Sequence, residues 1–271
     1  MSGMDATNLT RETLSKIFAE GKRFDGRGLL DLKELEVEYD VSNKAEGSAR
    51  VKLGKTEVIA GVKLSTGAPY PDSLDSGNLI VSGDLLPLAS PRFEHGPPGF
   101  EAIELPRLID RAIRESGMID FKKLCITEGE NVWNVFLDIY PLNDDGSLID
   151  AASIACVAAL RNAVLPGLTD KGIADYKNRT KEKLPLSDVM PISFTFYRLG
   201  DSLLLHPTRE EEEACDTKIS IGISKWNGQY MLNSCQKGHI PPFSSEDLNK
   251  MADILPQKYD EVMERFKKFL N

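Results

Sequence analysis

Three arginines recur at a spacing that suits phosphate binding. Arg107, Arg111 and Arg114 fall at i, i+4 and i+7 of a predicted helix, where they span about 60° of the circumference, opposite an apolar stripe. Guanidinium groups so placed can grip successive phosphates without reading bases. The same face also permits two ion pairs four residues apart, Asp110 with Arg114 and Arg111 with Glu115, on a solvated surface. Spacing alone leaves both interpretations open.

A second candidate is the run Gly146-Ser147-Leu148, which opens another predicted helix. A helix N-terminus offers free backbone N–H groups and the positive end of its dipole to an anion. An arginine beside it would add a charge-assisted contact. The residue after the serine is leucine, which cannot pair with phosphate. The run is also typical of a plain helix N-cap that follows an acidic turn.

Other chemistry-bearing residues form no convincing site. Asp144, Asp145 and Asp216 could supply carboxylates to a metal, but solvated turn carboxylates explain them better. The histidines have no metal-like spacing and suggest no nucleophilic triad, and the cysteines form no C-x-x-C pair. We therefore predict no cofactor and no metal. The residues concerned are His95, His206, His239, Cys125, Cys156, Cys215 and Cys235.

Composition limits the classes of protein. The 271 residues are 41% hydrophobic and 28% charged, enough for one large domain or two small ones with a sizeable core. With 33 basic and 42 acidic residues the net charge is −9, which argues against binding nucleic acid by bulk attraction. If RNA is the ligand, a partner supplies basic surface. We see no secretory signal and no apolar run of about 18 residues, so we expect a cytoplasmic protein without a membrane span.

The elements that position these residues follow from periodicity and turn signals. Apolar spacing and alternation predict an α+β fold with mixed sheets and a C-terminal helix. Asn227-Gly228 predicts a tight hairpin, and Ser244 with Asp247 predicts a capping box. Expected helices cover 10–20, 101–116, 148–163 and a last one with its stripe from Leu248 to Leu270 and a kink at Pro256; expected strands cover 31–40, two within 47–62, one within 78–88, then 132–141, 189–199, 202–205, 217–224 and 229–234.

Longer motifs resemble the RNase PH family over most of the chain. Their order and spacing together carry the resemblance. The Pro-rich stretch and the helix from Glu104 to Ser116 are similar to the non-catalytic exosome branch in particular. The motifs are Arg23-Phe24-Asp25-Gly26-Arg27, the paired strands from Gly47 to Val62, the Pro-rich stretch from Tyr70 to Pro98, and the helix from Glu104 to Ser116.

The resemblance implies an RNase PH-like fold of two βαβα-type halves, about 20–185 and about 186–271, within a single domain spanning 1–271. It also implies a hexameric ring, a trimer of heterodimers with a catalytic sister subunit, together with RNA-binding cap proteins. Single-stranded RNA would thread through the ring, and phosphorolysis would take place at the heterodimer interface.

The resemblance also implies roles for individual residues. Catalytic members carry arginine where this chain has Leu148, so Gly146, Ser147 and Leu148 would form a vestigial phosphate site. Asp216 would be a vestigial general acid. The helix arginines would bind RNA, Arg107 and Arg111 by motif and Arg114 as a third.

The expected protein is therefore a non-catalytic component of the exosome ring, with no catalytic residue of its own. A self-sufficient phosphate-dependent 3′-to-5′ exoribonuclease is the alternative, and it would need another basic residue in place of the missing arginine. An unrelated α+β domain, such as a small-molecule kinase, is a third possibility, and the absence of a Gly-rich phosphate loop counts against it.

Overall fold

A computed structural model describes residues 6–269 of the chain. It contains twelve strands and five α-helices within that part. The helices are α1 (Asn8–Ala19), α2 (Phe100–Arg114), α3 (Leu148–Asn162), α4 (Arg209–Ala214) and α5 (Ser245–Lys267), with a short 3-10 helix at Phe121–Leu124. The strands are β1 (Leu35–Tyr39), β2 (Gly47–Leu53), β3 (Thr56–Gly67), β4 (Asn78–Gly83), β5 (Cys125–Thr127), β6 (Asn131–Asn143), β7 (Val164–Leu168), β8 (Ala174–Lys183), β9 (Ile192–Leu199), β10 (Ser202–Leu205), β11 (Thr217–Trp226) and β12 (Gln229–Gly238).

The first sheet has the order β1-β2-β3-β6-β4, with β5 paired to β6. All its pairs are antiparallel except β4 with β6, which α2 connects as a crossover. Strand β3 alternates between buried and partly exposed residues, as expected for a strand with one face on the core. The predicted paired strands are confirmed, and their connection turns at Gly54, whose φ is +62°.

The second sheet has the order β10-β9-β11-β12 and is antiparallel throughout. Its outer hairpin turns at Asn227 and Gly228, both with positive φ, as the Asn-Gly pair predicts. Helix α4 begins with a capping box between Thr208 and Glu211. Strands β7 and β8 form a separate two-stranded sheet.

Helix α3 packs against both large sheets. Its residues 148–160 are all buried, and it contacts β2 and β3 on one side and β9 on the other. The backbone of β2 approaches it so closely that a Cβ atom on Gly47 would lie 2.4 Å from the carbonyl oxygen of Ala159. The helix thus joins the two sheets into one apolar core, and its first turn lies where both sheets can reach it.

Several sequence predictions need correction in detail. Strand β4 ends at Gly83 rather than near residue 88, and residues 84–99 form neither helix nor strand. The capping box of α5 is confirmed, but Leu248 is exposed rather than part of the buried stripe. Pro256 lies inside α5, which continues past it, while Leu270 lies outside the described residues.

Five elements of the described chain were not predicted, namely the 3-10 helix at Phe121–Leu124, β5, β7, β8 and α4. Pro166 and Gly167 interrupt the apolar pattern of β7, and such residues argue against a strand. No helix within residues 6–269 combines the length and the apolar character that a membrane crossing requires.

Candidate functional site

Helix α2 presents the predicted arginine face to solvent. Its apolar stripe is buried as expected, and Arg107, Arg111 and Arg114 are all exposed on the other side. Within the described chain, the Arg107 guanidinium has no hydrogen bond or ion pair, and Arg111 donates through Nη1 to Oε1 of Gln236 on β12 at 3.0 Å. Arg107 is therefore the cation of this face that is most available to a ligand.

Arg114 is held differently from the other two arginines. Its guanidinium pairs with the carboxylate of Asp110 at 2.6 Å and donates to the carbonyl oxygen of Leu79 at 3.0 Å. The bond to Asp110 raises the pKa of Arg114. The predicted pair of Arg111 with Glu115 does not form among the described residues, because Arg111 turns toward β12 instead. Arg114 is thus largely occupied in fastening α2 to β4.

The turn before α3 is built around a buried carboxylate. The Asp144 side chain is fully buried and lies 2.8 Å from Nη2 of Arg92 and 3.2 Å from Nη1 of Arg209. It also accepts the backbone N–H of Gly146 at 3.2 Å. Gly146 has a φ of +79°, and a Cβ atom there would lie 2.6 Å from the carbonyl oxygen of Pro207. Glycine is therefore required both by the backbone conformation and by the space.

Ser147 precedes α3 with its hydroxyl already engaged. The residue has a left-handed backbone with φ of +65° and does not cap the helix through its side chain. Instead its Oγ donates to the carbonyl oxygen of Pro207 at 3.1 Å, and the residue is 1% exposed. Leu148 and Ile149 follow as buried residues. The hydroxyl thus faces the chain between β10 and α4 rather than an open anion site.

A cavity of about 360 Å³ lies beside this first turn, and both acidic and basic side chains line it. Glu212 accepts the hydroxyl of Tyr197, and burial, with nearby Asp144, raises the pKa of Glu212. Glu104 pairs with Lys218, another residue of the lining, at 2.8 Å. The cavity therefore offers an anion paired side chains and a carboxyl group shifted toward its uncharged form rather than a cluster of unpaired cations. Glu101, Glu213, Arg11 and Arg92 also line the cavity.

Two buried side chains donate hydrogen bonds to the backbone carbonyl oxygens of the turn. Nζ of Lys33 donates to the carbonyl oxygens of Asp145 at 2.8 Å and Gly146 at 3.2 Å. Oγ1 of Thr56 donates to the same Gly146 oxygen at 2.6 Å. Burial lowers the pKa of Lys33 to about 8. Sequence periodicity gives no sign of these contacts, because Lys33 and Thr56 lie about 90 or more positions from the turn.

A further buried network begins at Asp150 in the first turn of α3. Its Oδ1 accepts the hydroxyl of Thr195 at 2.7 Å, and the Thr195 and Ser220 hydroxyls lie 3.0 Å apart. Oδ2 lies 3.5 Å from Nε2 of His206. His206, which the sequence presents as an isolated residue, accepts the backbone N–H of Lys33 through Nδ1. The network therefore links α3 to strands β9 and β11 of the second sheet and to the loop before β1.

Among the described residues, Asp216 makes no hydrogen bond or ion pair with this turn. Its Oδ2 accepts the backbone N–H of Gly200 at 2.9 Å, and its Oδ1 pairs with Arg11 on α1. Asp216 is not among the described residues that line the cavity. It thus closes the β9–β10 turn and fastens the N-terminal helix. Among residues 6–269, no group of three His, Cys, Asp or Glu side chains is arranged to hold a metal.

Two sheets joined by a central buried helix, with an arginine-bearing crossover helix beside them, define a two-sheet α+β protein, and its family is that of the 3′ exoribonucleases. Residues 31–166 match domain 1 of the 3′ exoribonuclease family, and residues 189–254 match its domain 2. The chain belongs to this family, known as RNase PH, and the predicted resemblance is confirmed.

Relatives similar in sequence to this chain include exosome components of archaea. The exosome complex component Rrp42 of Methanosarcina acetivorans is 44% identical over 97% of this chain and 94% of its own length. The Rrp42 component of Thermoplasma acidophilum is 44% identical over 91% of this chain and 90% of its own length.

Solved structures agree with these sequence relatives. A chain of the Archaeoglobus fulgidus exosome with RNA bound to the active site has a TM-score of 0.87 and 38% identity, over 96% of this chain and 98% of that one. A chain of an archaeal exosome core has a TM-score of 0.84 and 34% identity, over 98% of this chain and all of that one. The predicted RNase PH-like α+β fold is therefore confirmed.

Proposed function

We propose that this chain is a ring component of an archaeal-type exosome that degrades and processes RNA from the 3′ end, and that it has no phosphorolytic activity of its own. Its similarity to Rrp42 components along nearly the whole chain supports the first part. The second part is carried by the turn before α3. The Ser147 hydroxyl donates to the carbonyl oxygen of Pro207 and is therefore occupied. The buried Leu148 has the position at which catalytic members of the family carry a phosphate-binding arginine.

The surroundings of the turn strengthen this proposal. Losing one charge-assisted bond costs on the order of 1.5–3 kcal/mol, which is roughly a tenfold to hundredfold loss in binding. Cations beside the same helix start are already paired, Lys218 with Glu104 and Arg92 with Asp144, so neither replaces the missing arginine without breaking its pair. Asp216 is engaged with Arg11 and the backbone of Gly200, and no hydrogen bond or ion pair among the described residues links it to the turn.

The subunit's own role in RNA binding comes from helix α2. Arg107 and Arg111 would contact the phosphates of single-stranded RNA, with Arg114 at the edge of the same face. Such contacts position RNA without reading its sequence. Because the chain carries a net charge of −9, we infer that a catalytic sister subunit supplies the remaining basic surface and the phosphate site, within a trimer of heterodimers. RNA-binding cap proteins and a cytoplasmic location complete the proposal.

The decisive experiment compares the purified chain with its mixture with a catalytic sister subunit. A short 5′-labelled RNA is incubated with each, with and without inorganic phosphate, and both RNA shortening and nucleoside diphosphate release are measured. We expect phosphate-dependent release only from the mixture. Release by the chain alone would instead establish a self-sufficient exoribonuclease, and the replacement phosphate ligand would then be sought around Ser147.

A further inference from the structure

We propose that the RNA-binding surface continues from α2 onto strand β8, where Lys177, Lys181 and Lys183 bind phosphates of single-stranded RNA. The inference rests on the proposed function for its ligand, and it extends that function to a surface outside the two stretches that match the family's domains. Strand β8 lies between the two stretches that match the family, residues 31–166 and 189–254.

The charge of β8 is opposite to that of the whole chain. Its ten residues include four basic side chains and two acidic ones, whereas the chain as a whole is strongly acidic, with a net charge of −9. A local basic stretch on an acidic protein marks a place where an anion is attracted specifically. The basic residues are Lys177, Arg179, Lys181 and Lys183, and the acidic ones are Asp175 and Glu182.

The three lysines are free to take a ligand. All are exposed, and within the described chain none of their ammonium groups has a hydrogen bond or an ion pair. Some exposed lysines elsewhere are neutralised, as Lys122 is by Asp75, whereas unpaired ones such as Lys16 and Lys55 are not grouped along one strand. Arg179 differs from the lysines because it donates to the carbonyl oxygen of Asn43 at 2.7 Å and so anchors the strand.

The pairing of β8 explains why so many of its side chains are displayed. Its register with β7 shifts twice, between Val164 and Pro166 and between Pro166 and Gly167, so β8 carries extra residues opposite a short partner. Bulged strands bend and leave residues unpaired. The strand therefore projects its side chains into solvent instead of packing them on a core.

The end of β8 is fastened to the end of the arginine helix. Just after α2, the carbonyl oxygen of Met118 accepts the N–H of Ser187 at 2.8 Å, and the N–H of Asp120 donates to Pro185 at 2.9 Å. Ile119 and Leu186 form an antiparallel bridge between these bonds. Lys183 is two residues before Pro185, and Arg114 is four before Met118. The end of α2 and the end of β8 therefore lie side by side, so a strand of RNA bound along α2 has β8 next to it.

Single-stranded RNA fits this surface better than an acidic polypeptide. Lysine ammonium groups on flexible stems act as point charges and suit a backbone with one charge per nucleotide. Tyr176 adds a half-exposed ring whose hydroxyl is fixed to the carbonyl oxygen of Leu64 at 3.0 Å. A protein partner would need a buried apolar centre at its interface, and β8 itself consists of polar and charged residues apart from Ala174 and Tyr176.

The test measures RNA binding by fluorescence anisotropy, with the full chain alone and assembled with the catalytic sister subunit. Labelled oligoadenylates of about 6 and about 20 nucleotides distinguish α2 alone from α2 plus β8. The triple variant K177Q/K181Q/K183Q is compared with K16Q/K55Q/K268Q, which makes the same charge change at exposed, unpaired lysines elsewhere. A variant with arginine at positions 177, 181 and 183 keeps the charge.

We expect the first variant to bind the longer RNA about tenfold more weakly at low salt. Its log–log salt slope should fall by about 2, since each lost single-strand phosphate contact removes about 0.7. Binding of the shorter RNA should change less than twofold, and the control and arginine variants should match the parent. Unchanged thermal unfolding would show that all variants fold.

Equal affinity of K177Q/K181Q/K183Q and the parent for the longer RNA would overturn the extension, as would an equal loss in the control variant. Loss of binding to polyglutamate with RNA binding intact would assign β8 to a protein partner instead. These results differ from failure of the proposed function, in which neither RNA binds the parent chain, alone or assembled. If R107A weakens both RNA lengths and the lysine variant weakens neither, only the extension fails.

Discussion

Nε2 of His206 lies 3.5 Å from Oδ2 of Asp150, and both side chains are 1% exposed. Burial raises the pKa of Asp150 to about 7 and lowers that of His206 well below its usual value, with Lys33, Arg27 and Arg23 opposing its protonation. At this distance the two groups could form an ion pair. The directions of both pKa shifts are those of a largely uncharged pair, because burial penalises both charged forms.

This pair makes the stability of the protein depend on pH. The pKa of Asp150 is about 7 in the folded chain and 3.8 when unperturbed, so between these values the folded state binds more protons than the unfolded state. The contribution of Asp150 to the free energy of unfolding therefore falls as pH rises from about 4 to 7. We expect D150N to lose this dependence and to gain stability relative to the parent between pH 5 and pH 8, by at most about 3 kcal/mol.

Urea unfolding at pH 5 and pH 8 measures the difference. D253N removes an exposed aspartate on α5 and should parallel the parent at both pH values. If the gap between D150N and the parent is the same at both, the Asp150 carboxyl group does not titrate in this window.

Lys33 should make the free energy of unfolding depend on pH in the opposite direction, and at higher pH values than Asp150 does. Its pKa falls from 10.5 to about 8 on folding because the ammonium group is buried. Between these values the unfolded state binds more protons, so the free energy of unfolding rises with pH. We expect K33M to lack this rise. The variant should also be less stable at every pH, because the Asp145 and Gly146 carbonyl oxygens lose their donor.

Unfolding of K33M and the parent at pH 7.5 and pH 9.5 tests the prediction, with K16M as the exposed control. The stability gap between parent and K33M should widen at the higher pH by roughly 1–2 kcal/mol. A gap that narrows would mean that the buried ammonium is stabilised in its charged form.

Sequence periodicity predicts most of the frame but little of the site. The buried helix from Leu148, the capping box at Ser244 and the hairpin at Asn227 are local patterns, and each is confirmed. Leu148 can be picked out in the sequence as a candidate site residue because it directly follows the Gly146-Ser147 pair that opens the helix. The family resemblance, rather than periodicity, gives its comparison with an arginine.

The unpredicted parts of the site depend on contacts between distant segments. Ser147 meets Pro207 across 60 positions, and Asp150 meets Thr195 across 45. Neither pair has a spacing rule that a single sequence could reveal. Strand β8 was missed for another reason, since its polar residues lack the apolar alternation that marks a half-buried strand.

Ser147 should contribute to stability rather than to phosphate use. In S147A the buried carbonyl oxygen of Pro207 loses its donor, which costs about 1–2 kcal/mol. The phosphate dependence of RNA degradation by the assembled complex should stay within twofold of the parent. Chemical unfolding and a phosphate titration measure the two effects, with S15A as a matched exposed serine. A large rise in the phosphate requirement would show that Ser147 binds phosphate after all.

Substitution of Arg107 and substitution of Arg111 should affect the stability of the protein differently, although both side chains would bind RNA. Arg107 has no partner among the described residues, so R107A should unfold like the parent, whereas R111A loses the bond from α2 to Gln236 and should be destabilised by less than about 1 kcal/mol. Each variant should weaken binding of short RNA several-fold and lower the salt slope by about 0.7. K55A provides the control for a single exposed cation.

Anisotropy titrations at three salt concentrations, together with urea unfolding, distinguish the two effects. If R107A binds RNA as tightly as K55A does, the exposed face of α2 is merely a solvated surface, and RNA contact would have to be sought elsewhere on the chain. If R107A also unfolds early, the side chain has a structural contact that only forms in solution. The combination of normal stability with weakened, less salt-dependent binding is specific to a phosphate ligand, because no packing defect lowers the salt slope.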